Sequence, residues 1–217
     1  MGDWARDYFE RGYAQRWGLP AISLLAALVV ACGPAGYEPR NGDIVFQTSL
    51  STQSLAIQRA THSRYSHVGI VYIEHGEPYV YEAVQPVSLT RLEDWVNGGE
   101  DGHYVVKRLR DADRLLTPSS LATMKTEGAK FQARDYDSYF DWSDEKLYCS
   151  ELVWKIYQRG LGVEIGDLQR LGDLDLSDPV VKAKIQERWG STPPTEEMVI
   201  SPGAMFDSNQ LVTVYSR

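Results

Sequence analysis

Residues 67–84 constrain the fold more than any other stretch of the chain. Residues 67–73 (HVGIVYI) and 79–84 (YVYEAV) are short runs rich in Val, Ile and Tyr, joined by the turn-forming Glu74-His75-Gly76-Glu77-Pro78. β-Branched and aromatic side chains fit a pleated surface, and so short a connection joins neighbouring strands antiparallel, so the spacing predicts a hairpin. Residues 43–47 (DIVFQ) and 104–109 (YVVKRL) read as two more strands. Residues 50–60 and 119–131 read as helices. Leu147, Leu152, Val153, Ile156 and Tyr157 recur at helical spacing until Gly160 and Gly162 end the pattern. A further helix is expected over 178–189, with Pro179 in its first turn. Strands grouped together, with helices before and after them, predict an α+β architecture rather than a doubly wound parallel sheet.

With 217 residues, 43 % of them apolar, the chain can bury a core and has room for one domain with appendages. The net charge of −8, with no run of Lys or Arg, lacks the footprint of a phosphate-backbone binder, so no nucleic-acid partner is expected. There are only two cysteines, Cys32 and Cys149, which excludes a disulfide framework. Cys32 closes an uncharged apolar run over 19–31 that is too short to span a bilayer but suits the hydrophobic region of a secretory signal. Val29-Val30-Ala31-Cys32-Gly33 resembles a bacterial lipobox, in which small residues precede an acylated cysteine. That resemblance implies a signal peptide over 1–31, a lipid on Cys32 and a Pro- and Gly-containing tether over 32–40. It implies a cell-envelope address, and Gly33 in place of Asp points to the outer membrane facing the periplasm. The alternative is a core helix with Cys32 as a small buried hydrophobe.

Cys149 lies where an aromatic and acidic loop passes into the amphipathic helix. The unpaired N–H groups and positive dipole end of a helix N-terminus favour a thiolate, and a free thiol in an oxidising compartment needs a reason to persist. The alternative is a structural core cysteine. A thiol nucleophile needs a base and a group that orients the base. His67 opens an apolar strand, where its ring can face a site while Val68 and Ile70 turn elsewhere; a structural histidine fits the same position. His75 in a turn and His103 after an acidic loop are expected to be solvated. His62 lacks companions at metal-ligand spacing, so no metal or other cofactor is expected. Glu82 is the one acid inside its apolar strand. If the hairpin pairs as its turn suggests, Glu82 can reach His67 from the neighbouring strand; alternation alone does not choose its face.

The order Asn41-Gly42-Asp43-Ile44-Val45-Phe46, Tyr65-Ser66-His67-Val68-Gly69-Ile70, Tyr81-Glu82-Ala83 and Leu147-Tyr148-Cys149-Ser150-Glu151 resembles the permuted NlpC-like cysteine hydrolases of the papain-like superfamily, the YiiX/YaeF branch. Tyr136-Asp137, Phe140-Asp141-Trp142 and Ile200-Ser201-Pro202 fit the same pattern, which covers residues 41–217. The resemblance implies a circularly permuted papain-like fold with a small antiparallel sheet packed against helices. It implies a triad of Cys149, His67 and Glu82, with Tyr148 lining the substrate site and the Cys149 N–H helping to form an oxyanion hole. The activity it implies is cleavage of an amide or acyl bond, in a cell-wall peptide or a lipid-linked acyl group, through an acyl-thioenzyme. An acyltransferase of the same fold and a non-catalytic envelope lipoprotein that binds peptidoglycan are the alternatives. The expected partners are a peptide or acyl substrate and, through the lipid anchor, a membrane. Glu151 is expected to point away from the site, because a residue two positions on along a helix turns about 200° around its axis.

Overall fold

The computed structural model describes residues 36–217. The signal expected over 1–31, Cys32 and the first part of the tether lie outside the described residues. Six strands form one antiparallel sheet: β1 (Ile44–Ser49), β2 (His67–Glu74), β3 (Glu77–Glu82), β4 (Ser88–Arg91), β5 (Gly99–Leu109) and β10 (Leu211–Ser216), in the order β10-β5-β1-β2-β3-β4. The hairpin pairs Ile70 with Tyr81 and Val71 with Val80. Helix α1 (Ser54–Thr61) links β1 to β2, α2 (Leu92–Asn97) links β4 to β5, and α3 (Ala112–Leu115) and α4 (Pro118–Ala129) follow β5. After the two-residue strands β6 (Asp135–Tyr136) and β7 (Lys146–Leu147) comes α5 (Cys149–Leu161). Beyond it lie β8 (Gln169–Arg170), α6 (Pro179–Trp189), β9 (Met198–Val199) and α7 (Pro202–Phe206). The α+β expectation holds.

Both faces of the sheet are covered, which is why β1 and β2 read as unbroken apolar runs rather than alternating ones. On one face Phe46, Val68, Ile70 and Tyr81 meet Leu152, Val153 and Ile156 of α5 and Met124 of α4. On the other, Val45, Val71, Val80 and Tyr104 pack under Leu92, Trp95 and Val96 of α2. Burying each large aliphatic side chain contributes about 1.5–3 kcal/mol. Helices α4 and α5 approach closely at Gly160, where an added Cβ would sit 2.8 Å from Met124 Cγ and 3.0 Å from its Cα.

Several expected boundaries shift for local reasons. The helix expected from residue 50 begins at Ser54, and Leu50 is 71 % exposed in the preceding turn. The strand expected over 104–109 starts five residues earlier, because its N-terminal half, although polar, pairs Gly99 with Ser49 of β1. Helix α6 has the N-terminus expected of it: Asp178 accepts a bond from Val180 N, and Pro179 fills the first turn. His75 is exposed as expected. His103 is not solvated but half-buried on β5, with a buried Nε2 that has no partner.

The entry to β1 is held by charge. Asp43 is fully buried and accepts from Arg108 Nε (2.6 Å) and Nη2 (2.8 Å), from the Tyr37 hydroxyl (2.8 Å) and from Arg40 N (2.9 Å). Burial first, and then the Asp43 carboxylate, push the Tyr37 hydroxyl far above the usual phenol range. Replacing Asp43 by Ala strands a largely buried guanidinium. The expected outcome is a loss of about 3–5 kcal/mol of stability, read as a lower urea midpoint at unchanged m value.

Candidate active site

Three elements converge on Cys149. The Cys149 thiol is on the first residue of α5, the His67 imidazole stands at the first position of β2, and Glu82, the carboxylate partner of that ring, ends β3. Cys149 is buried and unpaired by any disulfide. Glu82 Oε2 lies 2.5 Å from His67 Nε2. With Nε2 committed to Glu82, Nδ1 is the ring nitrogen left for the Cys149 thiol, whose interaction with His67 favours the protonated ring.

The hairpin register explains the meeting of His67 and Glu82. Continuing the Ile70–Tyr81 pairing by one step sets Gly69 opposite Glu82, so His67, two positions earlier, is its diagonal neighbour on the same face. Gly69 is what allows this approach: a Cβ there would come within 2.3 Å of Val80 Cγ1 and 3.4 Å of Glu82 Cβ. The second Glu82 oxygen, Oε1, accepts from Thr90 Oγ1 at 2.5 Å, from β4. Trp95 of α2 stacks on the imidazole with centroids 5.9 Å apart.

Electrostatically the ring is held as a cation. Burial opposes its charge, but the hydrogen bonds and charges of Cys149 and Glu82 outweigh that cost and raise the His67 pKa to about 10. The imidazolium is therefore the resident form across neutral pH, facing sulfur on one side and carboxylate on the other.

The first turn of α5 is clasped by one residue. Ile200 donates its N–H to the Tyr148 hydroxyl (3.2 Å) and accepts at its carbonyl from Ser150 Oγ (2.7 Å). Tyr148 thus borders the cavity beside Cys149 with its hydroxyl already engaged, and Phe140 meets its ring edge-on at 5.2 Å. Glu151 faces away from the imidazole. Its Oε1 accepts from Lys155 Nζ at 2.7 Å, and its Oε2 accepts from Tyr148 N at 3.4 Å, closing the helix start. Lys155 also donates to Asp144 Oδ1 (2.9 Å), inside a wall of Trp142 and Trp154. Burial pushes the Glu151 carboxyl above the ordinary range while Lys155 and the Tyr148 amide draw it back.

Three neighbours of the site, Thr90, Trp95 and Gln53, carried no signal in the sequence, and Tyr136 entered only through the family resemblance. Thr90 sits in a four-residue polar strand and Trp95 in a six-residue helix, both too short for periodicity to register. Gln53 and Tyr136 border the cavities on both sides of the Cys149–His67 pair. Gln53 Nε2 donates to the Tyr136 hydroxyl at 2.6 Å, and Arg188 Nη2 from α6 donates to Gln53 Oε1 at 2.6 Å. Tyr136 and Arg188 stand 83 and 135 positions from Gln53 in the chain, so folding alone brings the three together.

A helix-start thiol packed against an antiparallel sheet that carries a histidine beside it, with histidine before cysteine in the chain, defines a permuted papain-like protein. The model of the permuted papain-like amidase enzymes of the YaeF/YiiX type matches residues 38–215, and the chain belongs to that family. It is 46 % identical over 191 residues to the uncharacterized protein YiiX of Escherichia coli, covering 88 % of this chain and 93 % of that one. A crystal structure of yiiX from Escherichia coli, described as a metalloprotein, matches with a TM-score of 0.80 at 46 % identity, over 83 % of this chain and 99 % of the other.

The relay sets an order of effects on thiol reactivity. Glu82→Gln is expected to slow alkylation of Cys149 by a soft electrophile most. The roughly 10⁴-fold cost of losing a triad aspartate is an upper bound, since a thiolate needs less help. Thr90→Val, which frees one carboxylate oxygen, is expected to cost about tenfold. Glu151→Gln should leave the rate within about twofold and lower the melting temperature instead, because it removes the buried one of the two carboxylates that pair Lys155. A slower reaction in Glu151→Gln than in Glu82→Gln, with both folded, would reverse this assignment.

Proposed function

We propose that the protein is an envelope-anchored cysteine hydrolase that cleaves an amide or related acyl bond by way of an acyl-thioenzyme on Cys149. The observation that carries this is the continuous line Cys149, His67, Glu82, Thr90, in which every contact but the first is a 2.5 Å hydrogen bond. The Cys149 sulfur, as thiolate, attacks the substrate carbonyl carbon. The developing oxyanion is met by the backbone N–H of Cys149, which at the first position of α5 has no intrahelical acceptor, and by the second Nε2 hydrogen of Gln53. The C–N or C–O bond then breaks as the His67 imidazolium gives its proton to the leaving atom. In the second half, water attacks the thioester and gives its proton back to His67. The products are a carboxylic acid, the amine or alcohol, and the starting thiolate–imidazolium pair. Glu82 is a positioning residue: it holds Nε2 and so aims Nδ1 at sulfur, and Thr90 holds Glu82.

The solved relative is described as a metalloprotein, but among the described residues of this chain a metal finds no matching donor set. Among the described residues no group of three or more His, Cys, Asp or Glu side chains converges on a point. Cys149 and Glu82 lie on opposite nitrogens of one ring rather than around a common centre, so no step is routed through a metal.

The envelope anchor rests on the lipobox-like residues 29–33 and the short tether before the domain. One acyl chain holds a protein to a bilayer only marginally, so stable anchoring needs the several chains that lipoprotein processing attaches. Cys32→Ala is expected to move the protein from the membrane fraction to the soluble fraction, with a mass change at the N-terminus. Retention in the membrane fraction at wild-type processing would rule the anchor out.

The thiol chemistry is tested by alkylation rate against pH. Because the raised His67 pKa keeps the proton on the ring up to about pH 10, the sulfur has a cationic neighbour throughout the range from pH 5 to 9. The wild-type rate is expected to depend less steeply on pH over that range than the rate of His67→Ala, because a cation beside the sulfur favours its charged form. In His67→Ala it should rise steadily with pH, as for an ordinary thiol of pKa about 8.5. Coincident profiles would overturn the proposal.

A further inference from the structure

Gln53 stands at the N-cap of α1, yet its side chain makes no capping bond. Its amide is held elsewhere, and at both ends. Arg188 Nη2 donates to Oε1 at 2.6 Å, and Nε2 donates to the Tyr136 hydroxyl at 2.6 Å. All three residues border the cavity that Cys149 borders. Burial first, and then the charge of Cys149, push the Tyr136 hydroxyl above the usual phenol range, so it stays protonated beside the sulfur.

The two contacts of the amide are not equivalent. Its oxygen and nitrogen are alike in size, so packing does not choose between one orientation and its flip. A tyrosine hydroxyl does not choose either, since it donates to an oxygen as readily as it accepts from an N–H. A guanidinium does choose, because it carries donors only and can meet nothing but the amide oxygen. Arg188 therefore decides that Gln53 presents N–H groups, and not its carbonyl, toward Tyr136. The flipped amide would set a partial negative charge where the oxyanion is to develop.

Arg188 is also a cation without a carboxylate. Among the described residues it forms no ion pair, and the adjacent Glu187 is taken by Lys184 at 2.7 Å. Its guanidinium lies over the rings of Phe140 (5.0 Å) and Trp189 (6.0 Å), where burial disfavours its charge. A carboxylate in this place would satisfy the guanidinium and draw it off the Gln53 oxygen.

We propose that Arg188 is a positioning residue for carbonyl chemistry at Cys149: from α6 it fixes the Gln53 amide so that the free N–H meets the oxyanion. This rests on the roles given above to Cys149 and Gln53. Because the bond crosses from α6 to the start of α1, the oxyanion site is complete only with α6 in place.

The test compares two reactions at one sulfur in the full-length protein. Iodoacetamide alkylates the thiolate by displacement at a saturated carbon, and iodide leaves with no oxyanion formed. Para-nitrophenyl acetate acylates it: the S–C bond forms, the carbonyl oxygen takes up the charge, and the C–O bond breaks with loss of para-nitrophenolate, which needs no proton. Arg188→Gln keeps a hydrogen bond to Gln53 but offers an acceptor as well as a donor, so it no longer fixes the amide. Acylation should fall by about tenfold or more, toward the roughly 10²–10³ of losing an oxyanion donor outright, while alkylation stays within about twofold. Arg188→Met, which keeps a stem against the two rings, should behave in the same way. Arg188→Lys, again donor-only, should recover most of the acylation rate.

Gln53→Met should show the same selective loss, and adding Arg188→Gln to it should cost nothing further, since no amide is left to fix. An arginine that only braces α6 would slow both reactions together, and its loss would add to that of Gln53→Met. Either result overturns the inference, as does acylation at the wild-type rate in Arg188→Gln and Arg188→Met. Normal acylation in Gln53→Met would remove Gln53 as a donor, and the inference with it. An acetyl group mapped to a residue other than Cys149 would overturn the nucleophile assignment and all that rests on it.

Discussion

The packing of α5 against β2 is the contact on which the rest of the molecule depends. Leu152, Val153 and Ile156 face Val68 and Ile70 with no water between them, and each such side chain contributes about 1.5–3 kcal/mol by leaving solvent. The same contact sets the distance between a helix that begins with a thiol and a strand that begins with an imidazole. Met124 and Gly160 bring α4 against the outer side of α5, the Tyr157 hydroxyl donates to the Gly42 carbonyl at the entry to β1, and Ile200 clasps the first turn through Tyr148 and Ser150. Cys149 is therefore located by a rigid helix held at both ends rather than by a loop.

Charge at the site is arranged so that two buried networks stay separate. The cost of burying His67 is offset by two partners, Cys149 and Glu82, and Glu82 is itself satisfied by Thr90. Glu151, only two residues from Cys149, belongs to a different network with Lys155 and Asp144 behind the helix start. A carboxylate free to compete for His67 would blur the direction of the ring. Pairing Glu151 with a buried lysine removes that competitor and closes the helix N-terminus at the same time.

The site also has a polarity that follows from its supporting elements. Helices α1 and α6 bring Ala, Ile and Val, and the segment 171–176 brings Leu, to the cavity beside the sulfur, whereas β1, β3 and β4 bring Gln, Ser, Glu and Thr to the ring. Family membership supplies the class, permuted papain-like amidase enzymes.

The hairpin and the helix closed by Gly162 were legible in the linear sequence because each rests on neighbours a few positions apart, and the order of histidine before cysteine because it is read directly along the chain; Gly160, expected to end the helix, lies inside it against Met124. Glu82 stood out as a lone acid in an apolar strand, whereas the close approach at Gly69 inside β2 comes only with the register. His103 misled, since polar neighbours in the chain do not reveal that its ring lies against the sheet. Thr90, Trp95, Gln53 and Arg188 were silent: short elements have no period to detect, and contacts such as Gln53 with Arg188, 135 positions apart, exist only after the chain has closed on itself. Local pattern determined which residues could do chemistry and on which kind of element each would stand. The tertiary structure decided which of them meet, because side-chain partners across a sheet or between helices are chosen by register and packing, and neither is written in any single segment.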